Sequence, residues 1–478
     1  MTAHQEHVPG GQRTAVPCSP LPDPYTPGHG SADYGVSRYE LYLDYRVSTN
    51  RLSGHAAITA RSHVELATIM LNLAGLRVLK VQLDGQRVQR FSQRGHQLFI
   101  VPGRTVPAGS DFSLDIRYEG FPGPLRGNWG EVGWEELTDG VLVAGQPTGA
   151  PSWFPCNDHP SQKASFGYTI TTEANYRVVC NGVLVSRHAK ASRETWVFEQ
   201  PEPMATYLAT VQIGRYDLRP LAFQPHLPAH LPAHLPAHRA GTADDGGQRQ
   251  VPQFVAAPPG LMATATAALG RQGQMMETFE TCFGPYPFPG YTVVVADDEL
   301  EIPLEAQSLS VFGPNHLNQQ WEAQRLIAHE LAHQWFGNSL TATAWADIWL
   351  HEGFACYAEW IWSEASGNTT AHQRAQGAWQ LLSSQAEDLL VGDPSPELMF
   401  DDRVYKRGAL ALHALRRATG DVLFFELLKT WAHRYRHGGV TTADFVETAN
   451  QACLELPGFD ARAVLDPWLY QSALPPLP

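Results

Sequence analysis

A chain of 478 residues is too long for one hydrophobic core, so two or three domains are expected. Hydrophobic residues make up 43% and charged residues 17%, which is ordinary for a globular protein with a sizeable core. The formal net charge of −14 argues against a nucleic-acid partner, for which a basic face is expected, and weakly favours cationic substrates.

The cysteine pattern and the first residues bear on the cellular location. The six cysteines are widely spread without a C-x-x-C pair, so reduced thiols and a cytoplasmic location are predicted. The N-terminus lacks the basic start and apolar block of a secretory signal. Apolar runs stay well short of the ~20 residues that span a bilayer, so no membrane partner is expected.

The first half of the chain has the pattern of a β domain. Residues 1–34 are rich in Pro, Gly, His and Ser, which predicts a disordered tail. From Tyr39 apolar and polar residues alternate as in a half-buried strand, and further such runs follow, the last being Y-L-A-T-V-Q-I-G-R-Y at 207–216. They predict an antiparallel β-sandwich-like domain over residues 35–256. A Pro/His-rich insertion at 219–250, with three copies of L-P-A-H, interrupts it.

From Pro259 the pattern becomes largely helical, with two strand-like runs at 291–296 and 308–312. This predicts a second domain over residues 257–478, built from a small sheet and a helical lobe. The predicted helical runs are 260–283, 319–336, 345–366, 371–391, 403–418, 421–437 and 442–454.

The stretch H-E-L-A-H inside the second of these runs predicts a metal site. His329 and His333 are four residues apart, so on a helix both imidazoles face one ion. Glu330 faces a neighbouring direction and can reach a water on the metal. Two His and one carboxylate form a known catalytic zinc set, and Glu352 in W-L-H-E-G-F-A is the natural third ligand.

Five stretches together resemble the aminopeptidase N and leukotriene hydrolase family of zinc metallopeptidases, the gluzincins. They are W-F-P-C-N-D-H-P at 153–160, F-G-P-Y-P-F-P at 283–289, I-P-L-E-A at 302–306, the zinc motif at 326–359 and V-Y-K-R-G-A at 404–409. The resemblance implies an α+β multidomain fold, in which an N-terminal antiparallel β-sandwich-like domain precedes a thermolysin-like catalytic domain. Relatives continue into a C-terminal helical domain, so a two-domain enzyme with a more open cleft is expected.

The resemblance also implies roles for the motif residues. One Zn²⁺ per chain would be held by His329, His333 and Glu352, and Glu330 would be the general base. Tyr405 resembles the family tyrosine whose hydroxyl stabilises the oxyanion.

Three further residues match family positions, and a fourth, Leu304, is expected beside the substrate. Glu305 corresponds to the glutamate that binds the free α-amine, although the glycine, methionine and asparagine around it in relatives are replaced here. Gln146 resembles a glutamine that helps bind the amine, and Leu304 is expected to line the specificity pocket. Glu359 resembles a carboxylate that orients a ligating imidazole.

The implied activity is a zinc aminopeptidase acting on peptides with a free N-terminus. Three alternatives stay open at this point: a thermolysin-like endopeptidase, an epoxide hydrolase and a non-enzymatic binding module that retains the fold.

Overall fold

The computed structural model describes residues 23–221 and 250–478. The L-P-A-H repeat and the first 22 residues of the predicted tail lie outside the described residues.

The N-terminal half is a β domain, as predicted. An eight-stranded sheet has the order β14-β15-β12-β1-β2-β8-β4-β5, beside a five-stranded sheet β13-β16-β11-β10-β9 and a three-stranded sheet β3-β7-β6. The strands are β1 (Tyr34–Arg46), β2 (Arg51–Ser62), β3 (Ile69–Asn72), β4 (Arg77–Leu83), β5 (Gln86–Arg87), β6 (Arg90–Arg94), β7 (Gln97–Val101), β8 (Asp111–Gly120), β9 (Leu125–Gly127), β10 (Gly130–Leu137), β11 (Gly140–Ala144), β12 (Lys163–Glu173), β13 (Arg177–Cys180), β14 (Val183–Lys190), β15 (Arg193–Ala205) and β16 (Val211–Gly214).

The alternation that predicted the first strand is seen in its burial. Along β1, Tyr39, Leu41, Leu43 and Tyr45 are each at most 2% exposed and face the core. The pairing is antiparallel apart from β1 with β12, which run parallel. The last predicted run differs, because residues 206–208 form a short 3-10 turn and only Val211–Gly214 is a strand.

The second half contains a five-stranded sheet in the order β17-β18-β19-β21-β20. Its strands are β17 (Asp217–Pro220), β18 (Gln253–Ala257), β19 (Tyr291–Val295), β20 (Leu304–Ala306) and β21 (Leu309–Phe312), and a small pair adds β22 (Thr341–Ala342) and β23 (Gly439–Val440). Strands β18, β19 and β21 are parallel, and β17 and β20 are antiparallel edges. The boundary predicted at residue 256 therefore falls inside this sheet, since β17 and β18 already pair within it.

Helices make up most of the second half. They are α1 (Met262–Ala268), α2 (Gln272–Phe283), α3 (Trp321–Ala332), α4 (Trp349–Ala365), α5 (Ala371–Leu382), α6 (Asp402–Thr419), α7 (Asp421–Arg434), α8 (Thr442–Ala452) and α9 (Ala461–Leu469). Each predicted run contains a helix, but the run at 260–283 is two helices and the run at 371–391 ends at Leu382. Helix α9 was not predicted, because its Pro467 interrupts the periodic pattern. Across residues 23–221 and 250–478, none of the helices combines the length and apolar character needed to cross a bilayer.

The two halves share a core. One hydrophobic cluster includes buried residues of both, and Tyr207 meets Trp345 with ring centroids 5.1 Å apart. Elements of the second half therefore pack directly against the β domain.

The described part of the predicted tail, residues 23–33, is packed rather than disordered. Tyr25 is 4% exposed, and its hydroxyl donates to Asp393 Oδ1 at 2.5 Å and accepts from Ser395 N at 3.0 Å. His29 pairs with Asp158 at 2.7 Å. Composition favoured a tail because these partners are far away in the sequence and leave no local periodicity.

We expect Tyr25→Phe to destabilise the protein by about 1–3 kcal/mol, because the buried hydroxyl that bonds the charged Asp393 and the backbone N–H of Ser395 is lost. Urea denaturation measures this change. Tyr42→Phe, at a side chain that is 43% exposed, is the matched control and should leave the midpoint unchanged. Equal midpoints for the two variants would show that the segment is not anchored through Tyr25.

Candidate metal centre and active site

Helix α3 carries the first part of the metal motif and is fixed by an aromatic cluster. It ends at Ala332, so His333 is its C-terminal cap. Just beyond, the Trp335 ring lies 5.4 Å from that of Tyr286 and 5.9 Å from that of Phe283, and its Nε1 donates to Gly284 O. The F-G-P-Y-P-F-P stretch thus holds the end of the metal helix.

The predicted ligands converge. His329 Nε2 and His333 Nε2 each lie 3.5 Å from Glu352 Oε2, and the three donor atoms are within 4.8 Å of one another. Tetrahedral zinc with bonds of about 2.0–2.1 Å separates its ligand atoms by about 3.3 Å. The spacing and the two-nitrogen, one-oxygen donor set therefore fit zinc.

Each imidazole is oriented through its other nitrogen. His329 Nδ1 donates to Glu359 Oε1 at 2.8 Å, and His333 Nδ1 donates to Phe336 O at 3.0 Å. Because both partners only accept, both Nε2 atoms keep a lone pair for a metal.

The imidazoles and carboxyl groups of this buried cluster shift one another's pKa values. Burial lowers the pKa of His333, but Glu305 and Glu352 outweigh that effect and raise it to about 9. Burial acts against the ionised form of Glu352, yet His333 and His329 hold its pKa below the ordinary value. A divalent cation provides the positive charge that protons on the imidazoles would otherwise supply.

Glu330 lies beside the cluster with a free oxygen. Its Oε2 is buried and has no hydrogen-bond partner among the described residues. Burial raises the pKa of Glu330 to about 7, against the attraction of His329 and His333. Such a carboxylate is able to exchange a proton near neutral pH.

Glu305 sits on β20, the edge strand nearest α3. Gln334, the residue after His333, donates to Ala306 O at 3.1 Å, which places the strand of Glu305 beside the end of the metal helix. Burial raises the pKa of Glu305, while the charge of His333 opposes this. Successive strand residues face opposite sides, so Leu304 points away from Glu305. Leu304 packs against a second hydrophobic cluster that includes Leu142 and Ala144 of β11.

Gln146 lies two residues beyond β11, in the region where Leu304 packs. Its Nε2 is buried without a partner among the described residues. A Cβ on Gly145 would come 2.2 Å from Tyr207 O, so this segment lies directly against Tyr207.

Tyr405 reaches the cluster from α6, which Asp401 caps by accepting from Arg403 N. Its ring stacks on His329 at a centroid distance of 6.0 Å and an angle of 18°. Burial, with Glu352 and Glu305, holds the pKa of Tyr405 well above its usual range, so the hydroxyl keeps its proton as a donor.

Two glycines allow α6 to approach α4. A Cβ on Gly353 would lie 2.9 Å from Gly408 Cα, closer than side chains tolerate. Gly353 follows Glu352 directly, and Gly408 is three residues after Tyr405. The two helices are therefore in backbone contact where they present the ligand and the tyrosine.

Sequence reasoning missed Tyr207. It is 3% exposed and donates to Gly337 O at 3.1 Å, and burial together with Glu305 and Glu352 raises its pKa. The stretch around it has the pattern of a strand, so nothing local marked it as part of the active site.

Comparison with known proteins identifies the chain. The model described as "Peptidase M1 N-terminal domain" matches residues 36–208, and the "Peptidase family M1 domain" matches residues 267–468. The chain belongs to peptidase family M1. The family assignment agrees with the resemblance drawn from the motifs, and the His-His-Glu cluster fits its zinc.

Similar proteins include one of the same two-domain size. The M1 zinc metallopeptidase from Deinococcus radiodurans is 29% identical with a TM-score of 0.83, over 95% of this chain and 98% of that one. A mutant of it was solved bound to a Tyr-Ser-Ala substrate. The leucyl aminopeptidase of Saccharolobus solfataricus is 25% identical over 92% of this chain and 54% of that relative. The chain spans about half the length of the curated relatives it matches.

We expect Glu359→Gln to weaken zinc binding about 10–100-fold, because the amide is a poorer acceptor for His329 Nδ1–H than the carboxylate. Competition with a chromophoric chelator measures the affinity. Glu364→Gln is the control, since Glu364 is on the same helix but pairs with Arg416. If both variants bound zinc as tightly as the parent protein, Glu359 would have no orienting role.

Proposed function

We propose that this M1 family member is a zinc-dependent aminopeptidase that hydrolyses the first peptide bond of peptides with a free N-terminus. The observation that carries the proposal is Glu305 on the edge strand β20, whose next residue, Ala306, accepts hydrogen bonds from Gln334 and Asn338 just beyond the metal helix. A fixed carboxylate holds the substrate ammonium, so that only the first carbonyl reaches the metal.

The chemistry divides between the metal and the protein. Zinc held by His329, His333 and Glu352 would supply a Lewis acid that activates water and polarises the carbonyl. Glu330 takes the proton of the attacking water on its unpartnered Oε2 and returns it to the leaving amine. A carboxylate whose pKa is near 7 is suited to both transfers.

Tyr405 is proposed to stabilise the oxyanion. Its hydroxyl remains protonated, and the stack on His329 places it beside the cluster. A buried donor aimed at developing negative charge typically contributes several kcal/mol to catalysis, ~2.7–4 where one donor has been removed.

The alternatives account for fewer of these residues. An endopeptidase does not require a carboxylate that recognises an amine, the role proposed for Glu305. A binding module does not require a general base or an oxyanion donor, the roles proposed for Glu330 and Tyr405. Epoxide hydrolysis is not favoured by any observation in the described residues. The cytoplasmic location stays a prediction.

The exopeptidase proposal predicts cleavage of aminoacyl-anilides and no cleavage of their N-acetylated forms, with all activity lost in the presence of a chelator. Glu305→Gln should raise KM for free-amine substrates at least tenfold and leave zinc content unchanged, because the charge that holds the ammonium is removed. Steady-state kinetics and metal analysis measure both quantities.

Glu301→Gln is the matched control, because Glu301 is exposed on the loop that leads to β20. It should keep the parent KM. Internal cleavage of acetylated peptides, with no cleavage of free-amine anilides, would establish an endopeptidase instead.

Tyr405→Phe is expected to lower kcat about 10²–10³-fold with little change in KM, because the lost donor acts mainly in the transition state. Tyr357→Phe serves as the control, since its buried hydroxyl bonds His413 within the helical lobe. A kcat for Tyr405→Phe within twofold of the parent enzyme would remove Tyr405 from the mechanism.

A further inference from the structure

A lysine of the β domain reaches into the catalytic half. Lys163 is the first residue of β12, and its ammonium donates to Ser339 O at 2.7 Å and Asn338 O at 3.0 Å. Gly438 O lies 3.5 Å from the same nitrogen. The three carbonyls belong to two segments, the turn after the metal helix and the start of β23.

The ammonium has no carboxylate partner within the part of the chain that the structure describes, and its partners there are the three backbone carbonyls. Loss of water lowers the pKa of Lys163 to about 7. Removing a charged side chain from water costs free energy, and an apolar residue at this position would avoid that cost. Stability alone therefore does not explain a lysine here. The arrangement is explained if the held carbonyls need a fixed position.

The turn Phe336–Ser339, which Lys163 holds, controls His333. Phe336 O accepts from His333 Nδ1, and Asn338 N donates to His333 O at 3.0 Å. Gly337 has φ +123°, and a Cβ there would lie 3.2 Å from His333 Nδ1. A shift of the turn would therefore rotate or displace this imidazole.

The same turn controls the strand of Glu305. Asn338 Nδ2 donates to Ala306 O at 2.9 Å, immediately after Glu305. Asn338 therefore connects Lys163 with the edge strand. Its backbone oxygen accepts from the ammonium of Lys163, and its side chain donates to the edge strand. Tyr207, also from the β domain, donates to Gly337 O and supports the turn from a second point.

We propose that Lys163 is a positioning residue for the active site: its ammonium fixes the turn Phe336–Ser339, and the turn sets both the ring of His333 and the strand of Glu305. The β domain then contributes, through Lys163, to the geometry of the metal centre. The inference about the amine site rests on the proposed aminopeptidase function, whereas the inference about His333 does not.

The test replaces Lys163 by methionine, which keeps the length and removes the three donors. We expect zinc affinity to fall about tenfold or more, and KM for free-amine anilides to rise several-fold at saturating zinc. Chelator competition and steady-state kinetics at saturating zinc measure these separately. Lys163→Arg, which restores donors to the carbonyls, should recover part of both losses.

The control for general destabilisation is Arg416→Met. It breaks a buried ion pair with Glu364, which is twelve residues, or about 18 Å of helix, from Glu352. It should lower the melting temperature while zinc affinity and KM stay at the parent values. If Lys163→Met does not fold, Lys163→Gln carries the same test.

Two results would overturn the proposal: parent zinc affinity and KM in folded Lys163→Met, or identical losses in Arg416→Met. Failure of the aminopeptidase function would show differently, since the parent enzyme would then not cleave free-amine anilides, whereas the effect of Lys163 on zinc affinity would still be measurable.

Discussion

Two imidazoles bind one ion only if both rings are held in a fixed orientation by hydrogen bonds at their other nitrogen, and the whole site depends on this constraint. The four-residue spacing brings His329 and His333 to one face of α3, but it leaves each ring free to rotate about its side-chain bonds. The hydrogen bonds at Nδ1 remove that freedom. One restraint comes from Glu359 on α4 and the other from the backbone at Phe336, so a second helix and a turn must both be in place before the metal site exists.

Helix α4 holds its side chains in fixed positions because nearly all of its residues are buried. Residues 349–363 are buried throughout, so the helix is held by α3 on one side and by α6 on the other. Glu352 and Glu359 are seven residues apart, two turns along one face, which lets one ligate and the other orient. The contact between Gly353 and Gly408 then brings Tyr405 to the same cluster. Ligand, orienting carboxylate and tyrosine thus share one rigid support.

Local patterns were sufficient for most elements. The period of a helix predicted that His329 and His333 face the same way, whereas Glu352, on the next helix, was predicted from the chemistry of known zinc sites, and the three side chains lie together in the structure. Contacts between distant segments were not predictable in this way: Tyr25 and Asp393 are 368 positions apart, and Lys163 and Ser339 are 176 apart. The pairing of β18 with β19 was not predictable for the same reason, because it leaves no mark in the residues of β18 itself.

The carboxyl groups of the site determine which ligands it prefers. Glu305, Glu330, Glu352 and Glu359 lie around two imidazoles, so the site attracts positive charge. In the proposed function, Glu352 would hold the dication from a helix and Glu305 would hold the substrate ammonium from an edge strand. The separation of these two elements would then decide which carbonyl lies at the metal. Asn338, in the turn after the metal helix, donates to Ala306 O of the edge strand, so this turn connects the two elements on which the proposed selection of the first peptide bond depends.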